Sequence, residues 1–442
     1  MSIRPCCPLP QGDVDDALRR AFDVEHIASV VRGTLCADAV LRTLQPAYVR
    51  FKGRDGSLVG FRSEIEHGGE RHASYVTVRT APPERLRTEF ERIAHRADRV
   101  HLGVRGCALL AGDGLLLLAY PIDRIVRELR HMVRASKVRG LLLEHCPAWL
   151  PEGRRISKRH SSGAPVSYKP ERRAVVCWQI GLMDDAGTFV RRQPVWLRLH
   201  AAEQAPRTRL ATDAVRLGGV SAPRCLAVPH PRLMIEEHVE GTPWRAERVV
   251  SGDDLAAVAQ AICRVHAAEA PPELPVHDAV AELDLALRCV DDLRRIDPAL
   301  GARAAVIVDR LSAHVPTQDD LVLSHGDLHP EQLLLGERVG LVDFDRACRA
   351  PRVHDLATLR AHLLSGAGAA GADPLFEAIL AEYERSGRHV AAADLAWWSA
   401  SALLRLAIGP FRRLRADWPA ASAQGLAAAE HCLGTISAGG HA

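Results

Sequence analysis

Asp327 and Asp343 are the side chains around which chemistry is most readily built in this sequence. Between them lie a short apolar run (Leu333 to Leu335), a polar turn (Gly336 to Arg338) and a second apolar run (Val339 to Val342). Two apolar runs joined by a glycine-containing turn predict a hairpin, and a hairpin returns its flanking loops to the same end of the paired strands. Carboxylates brought together in this way suit phosphoryl transfer. One orients an attacking hydroxyl and accepts its proton, and the other holds the magnesium ion that bridges the nucleotide phosphates. The plain alternative is a pair of Asp-rich turns that bind nothing.

The residues around this pair carry a resemblance. His325-Gly326-Asp327-Leu328-His329-Pro330-Glu331-Gln332, followed by Asp343-Phe344-Asp345, resembles the catalytic and metal-binding loops of the aminoglycoside phosphotransferase family, the small-molecule branch of the protein-kinase-like fold. The resemblance implies that Asp327 is the catalytic base, that His329 lies near the transferred phosphate and that Asp343 is the main magnesium ligand. It further implies that Asp355 pins the catalytic loop from the following helix, with His325 supporting the site. The family usually has Asn five residues after the base, where this chain has Gln332. Gln offers the same carbonyl oxygen one methylene further out, so it reaches the metal only if the loop backs away to match. The implied fold is α+β: a two-lobed protein-kinase-like core, with an antiparallel β N-lobe and a helical C-lobe, preceded by an appended α+β domain. The implied cofactors are Mg2+ and ATP or GTP, and the implied partner is a small hydroxylated molecule.

At 442 residues the chain is too long for one core and suggests two or three domains. Apolar residues at 47% and charged residues at 25% are those of an ordinary globular protein. No run of about 18 uncharged apolar residues occurs, which predicts no membrane span. The N-terminus has Pro and Asp where a signal peptide needs an apolar stretch, so a cytoplasmic protein is expected. The 11 cysteines are scattered without a Cys-x-x-Cys pair, which fits reduced thiols and reveals no zinc site. A net charge of +3 with dispersed arginines gives no support to a nucleic-acid surface. Lysine occurs only at 52, 137, 158 and 169, which matters because a kinase-like fold places a Lys on a strand to bind phosphates.

Along the chain, residues 1–150 read as the appended domain. Ala47 to Lys52, Ser57 to Glu66 and Ala73 to Arg79 alternate as a meander, broken at Arg54-Asp55-Gly56 and Gly68-Gly69. A helix is expected over Pro83 to Arg96, a hairpin over Cys107–Leu110 and Leu115–Tyr120, and a second helix over Ile122 to Val138. The order also fits an internal duplication of the N-lobe; the simpler reading is a capping domain, as in some sugar kinases. Residues 151–165 are polar and aperiodic and read as a linker. The N-lobe follows over 166–240 and the C-lobe over 241–442.

Within the N-lobe, strands are expected over Ala174–Ile180 and Pro194–His200 about a turn at Asp184–Gly187, the turn that the resemblance sets over the nucleotide. Alternation puts Trp196, Arg198 and His200 on one face and Val195, Leu197 and Leu199 on the other. Arg198 stands where the family's phosphate-binding Lys would be; the competing reading is an exposed strand residue. Lys169, ahead of the first expected strand, is an auxiliary candidate, and the helix over Thr208–Leu217 offers only Asp213 as an acidic partner. Arg232 to Gly241 resembles the last N-lobe strand and the hinge, whose backbone near Glu237 and Val239 would hold the adenine edge, with Glu236, Glu237 and His238 read as solvated. In the C-lobe, Asp278, Glu282, Asp284, Asp291 and Asp292 form either an acidic substrate wall or solvated helix faces. Trp397, Trp398 and Phe411 are expected in the core.

Three functions compete: an active small-molecule kinase, a nucleotide-binding pseudokinase that binds a partner protein, and a Ser/Thr peptide kinase. Retention of both Asp327 and Asp343 favours the first. Asp355 follows Phe344 by only eleven positions, which leaves little room for a peptide-docking segment.

Overall fold

The computed structural model describes residues 7–12, 15–52, 56–96, 100–245, 248–317, 320–367 and 369–439. The expected turn residues Arg54 and Asp55 and the last three residues lie outside the described residues. The chain divides into two compact units. The first comprises Met1–Ala205, Leu226–Glu237 and Pro410–Trp418; the second comprises Pro206–Cys225, His238–Gly409 and Pro419–Ala442.

In the first unit, the meander read from the alternation is present as β1 (Val40–Phe51), β2 (Ser57–His67) and β3 (Glu70–Thr80). The expected hairpin adds β4 (Cys107–Leu110) and β5 (Leu115–Ala119), giving one antiparallel sheet of order β1-β2-β3-β5-β4. The helix α1 (Pro83–Glu91) starts on Pro83, whose fixed φ suits a first helical turn. The single helix expected over Ile122–Val138 is instead α2 (Leu129–Met132) and α3 (Ala135–His145), separated by Arg134 in an extended conformation. Ahead of them the Asp123 carboxylate accepts the N–H groups of Ile125 and Val126, so that segment closes a local turn rather than a helix.

The expected linker is strand from Arg155 onward. β6 (Arg155–Lys169), β7 (Arg173–Met183), β8 (Phe189–His200), β9 (Cys225–His230) and β10 (Leu233–Glu237) form an antiparallel sheet of order β9-β10-β8-β7-β6. No apolar alternation marks β6, because it is an edge strand with an irregular register between Ser157 and Ser162 and buries only Ile156, Ser157 and Tyr168. One face of this sheet, with Ala174, Val176, Trp178, Val195, Leu197, Leu199, Leu233 and Ile235, shares a single core with Tyr120, Leu129, Leu142 and Trp149. The appended region and the N-lobe sheet are therefore joined by buried apolar surface, the largest favourable contribution to folding. Phe411 also belongs to this unit, stacked on Phe51 at 5.6 Å and set edge-on to Trp418 at 5.3 Å.

The second unit is mainly helical: α4 (Ala205–Leu217, in this unit from Pro206), α5 (Gly252–Ala267), α6 (Ala279–Ile296), α7 (Pro298–Ala313), α8 (Val353–Ala367), α9 (Ala369–Arg385), α10 (Ala392–Leu406) and α11 (Trp418–Gly439, in this unit from Pro419). The starts are written in the sequence: Ser251 and Asp254 make a capping box, Asp278 caps α6, and Asp297 caps α7 ahead of Pro298. Trp397 and Trp398 are buried, as expected. The acidic wall is not formed as drawn, because Glu282 is wholly buried, accepting hydrogen bonds from Ser401 and Arg405 and pairing with His277, while Asp284 and Asp291 are exposed. Four short strands serve the loops: β11 (Thr242–Pro243), β12 (Leu321–Ser324), β13 (Leu333–Leu335) and β14 (Gly340–Leu341), with β15 (Cys348–Pro351) pairing β12. Among the described residues, no helix is long and apolar enough to cross a membrane.

Candidate active site

The hairpin between the two carboxylates forms as expected, with Leu333 opposite Leu341 and Leu334 opposite Gly340. β12 leads into the 325–332 loop, and β14 leads out to Asp343. Gly326 sits at φ +79°, and a Cβ there would lie 1.9 Å from the Arg346 carbonyl oxygen, so the loop requires glycine at this point. Asp343 takes a left-handed conformation at φ +71°, a strained value for a non-glycine residue and one that clusters at functional sites.

Asp355, on the first turn of α8, holds the loop by its backbone. Its Oδ2 accepts the His325 N–H at 2.7 Å and its Oδ1 accepts the Gly326 N–H at 3.0 Å. His266 Nε2 lies 3.3 Å from the same carboxylate, and His266 Nδ1 lies 2.8 Å from the Tyr383 hydroxyl. Burial opposes the charge on Asp355, but the hydrogen bond and charge of His266 overcome it and hold the carboxyl well below the usual range. The pairing of His266 with Tyr383 spans 117 positions and has no local signal in the sequence. His325 is buried, with Nε2 2.9 Å from the Val342 carbonyl and its ring 4.7 Å from Phe344, so it ties the two loops together.

Asp327 is about one-third exposed, with Oδ2 3.6 Å from the Arg346 Nε. Burial raises its pKa, yet the charges of Arg346 and the neighbouring histidines outweigh this and leave it lowered. His329 is also lowered, chiefly by burial against the opposing charge of Asp327. The amide nitrogen of Gln332 lies 2.9 Å from His329 Nε2 and 3.2 Å from Asp343 Oδ2. Asp345 Oδ1 lies 3.4 Å from the Thr208 hydroxyl.

Thus His325, His329, Gln332, Asp343 and Asp355 are linked by hydrogen bonds and ring contacts through the loops of the second unit, and Asp327 lies on the same 325–332 loop. Arg198, Lys169 and Glu237 lie in the first unit and Val239 in the second. Arg198 pairs in register with Val175 and Met234, on the sheet face opposite the shared core, and is buried rather than exposed. Lys169 is not ahead of the sheet but ends β6 opposite Arg173, which in turn faces His200, so it shares the face of Arg198. The acidic partner is Glu236, not Asp213: Arg198 Nε donates to Glu236 at 2.8 Å, while Asp213 pairs with Arg209 on its own helix. Glu236 is buried, contrary to its reading as solvated, and its signal was the alternation with Leu233 and Ile235 that turns it to the Arg198 side. Glu237 closes β10, and a Cβ on Gly340 would press on Val239 at 2.8 Å.

Register also separates Arg198 from the turn expected over the nucleotide. Asp184–Gly187 joins Met183 to Phe189, nine positions from Arg198 and so about 30 Å along the strand. The turn near Arg198 is the one between β6 and β7, where the Arg172 carbonyl accepts the Ala201 N–H at 2.7 Å.

Residues 182–393, a little under half of the chain, match the phosphotransferase enzyme family. No match was found among curated proteins. Among solved structures, a choline kinase from Cryptosporidium parvum Iowa II is similar with a TM-score of 0.50 and 12% identity, covering 69% of this chain and 97% of that one. A spectinomycin phosphotransferase solved with ADP and spectinomycin gives a TM-score of 0.48 at 11% identity, covering 67% of this chain and 98% of that one. An ethanolamine kinase from Plasmodium vivax gives 0.46 at 11% identity over 70% and 93%. At such identities the choline kinase likeness speaks to fold alone, and that fold is the antiparallel N-lobe and helical C-lobe described above. Residues 182–393, which hold every residue of the loop cluster, therefore match the phosphotransferase enzyme family on a protein-kinase-like fold.

Proposed function

We propose that the protein transfers the γ-phosphoryl group of ATP to a hydroxyl of a small molecule such as a sugar, an aminoglycoside or a related metabolite, in a cytoplasmic setting. The observation that carries this reading is the approach of Gln332 to Asp343 at 3.2 Å beneath a loop fixed by Asp355. Which end of the Gln332 amide faces Asp343 is assigned from hydrogen bonds, and half a turn of the amide aims Oε1 at the same point. A carboxylate and an amide oxygen are hard donors that fit Mg2+, so Asp343 and Gln332 are the residues that would hold it. When bound, the ion supplies charge neutralisation for the nucleotide phosphates.

Asp327 remains ionised at neutral pH because its pKa is lowered, and an ionised carboxylate accepts a hydrogen bond from the acceptor hydroxyl. So weak a base acts mainly by orienting that oxygen, which is what a loose phosphoryl-transfer transition state requires. His329, held by Gln332, faces the same loop and would lie beside the transferred group. The path from Phe344 to Asp355 is taken up by a short turn, β15 and the start of α8, which favours a small acceptor over a peptide.

Asp343→Ala is expected to abolish magnesium-dependent ATP binding measured by calorimetry on the full-length chain. Unchanged binding with magnesium present would remove Asp343 from the metal site. Arg198 is proposed to contact a nucleotide phosphate. Replacing it alone strips the buried Glu236 of that cation, so Arg198→Met is best combined with Glu236→Gln. The pair is expected to weaken ATP binding by roughly ten- to a hundredfold, the worth of one desolvated charge-assisted contact. Intact affinity would leave Arg198 a purely structural partner of Glu236.

A further inference from the structure

The turn between β6 and β7 contains no glycine. It reads Pro170-Glu171-Arg172, and Glu171 stands at φ +56°, a backbone region that costs a non-glycine residue free energy unless its surroundings impose it. The surroundings come from the region ahead of the N-lobe sheet. The Asp123 carboxylate accepts the Glu171 N–H at 2.9 Å and the Tyr168 hydroxyl at 2.8 Å. The Glu171 side chain, 1% exposed, receives Arg124 Nε at 2.6 Å and Lys52 Nζ at 2.7 Å. Arg124 continues to Glu89, which also binds Arg79, so the turn is anchored through α1 and β3 as well. Burial opposes the charge of Glu171, but these cations keep its pKa lowered.

This turn lies about two residues, roughly 7 Å, along the sheet from Arg198, whereas the other turn of the hairpin is far away. We propose that Glu171 is a positioning residue for nucleotide binding: Lys52, Asp123 and Arg124 of the appended region clamp it, and the clamp holds the β6–β7 turn in the shape that covers the phosphates. The appended region is then a working part of the nucleotide site rather than a detachable cap. An ion-paired turn takes the place of a mobile glycine-rich loop, and the ordering cost that a flexible loop would meet on binding is met during folding instead. The inference rests on the proposal that ATP binds at Arg198.

The test uses the full-length chain and magnesium-ATP as the probe, with dissociation constants from calorimetry and thermal midpoints from the same preparations. Glu171→Gln keeps the shape of the side chain and removes its charge. It is expected to weaken ATP binding by about tenfold. Lys52→Met removes the more exposed of the two cations and leaves Arg124, so it is expected to fold and to weaken binding by about threefold, with Lys52→Arg restoring wild-type affinity. A lower thermal midpoint with ATP affinity within twofold of wild type in both variants would make the clamp a structural staple only and overturn the proposal. Failure of the wild-type chain itself to bind ATP would overturn the phosphotransferase reading, and this inference with it. Unchanged affinity in the variants beside a binding wild type overturns this inference alone.

Discussion

Asp327→Asn is expected to lower turnover by about a hundredfold or more while leaving ATP affinity nearly unchanged. Asn has the size of Asp and its side-chain oxygen can still meet a hydroxyl, but it carries no charge and accepts no proton. The residues proposed to hold the nucleotide, Asp343, Gln332 and Arg198, make none of their described contacts through Asp327. Arg346 would lose its carboxylate partner, but that pair is half-exposed and contributes little to stability. A steady-state comparison, with ATP affinity measured separately, checks both halves. Equal turnover in mutant and wild type would remove Asp327 from the chemistry.

The second large effect concerns Asp355. Asp355→Asn is expected to destabilise the second unit by about 3 kcal/mol and to abolish most activity, because the substitution acts on a buried charge rather than on a surface pair. The carboxylate accepts two backbone N–H groups and faces His266, whereas an amide must turn its NH2 toward one of those donors. The sign of the pH dependence follows from the lowered pKa. Asp355 contributes stability that is complete above the pKa of an unfolded Asp, near 4, and is lost as pH falls toward its lower folded value. Denaturation curves should therefore show a shallower acid loss in the variant. An acid limb identical to wild type would mean that Asp355 does not carry this linkage.

The hairpin and caps of the second unit were legible in the sequence because they are local. Asp327, Gln332 and Asp343 flank one hairpin of apolar runs and a glycine turn, and the caps of α5, α6 and α7 are spelled by Ser251, Asp278 and Asp297. The N-lobe was less legible because its informative contacts are non-local or its strands are not amphipathic. β6 lies at an exposed edge with a bulge, so nothing periodic marks it, and without it both the turn expected over the nucleotide and Lys169 are displaced. Glu236 was misread because three successive polar residues, 236 to 238, resemble a solvated stretch, although only the first lies within the run of buried strand positions. The His266–Asp355 and Glu171–Lys52 pairs join residues far apart in sequence, and no window of local sequence contains them.

The central claim, phosphoryl transfer from ATP to a small alcohol, is tested most directly by incubating the full-length protein with magnesium and γ-labelled ATP against a panel of sugars, amino alcohols and aminoglycosides. Label should pass to at least one hydroxylated compound, with ADP released in equal amount, and both signals should vanish in Asp327→Asn. ADP release that equals free phosphate for every compound, or label transfer that persists in Asp327→Asn, would contradict the account.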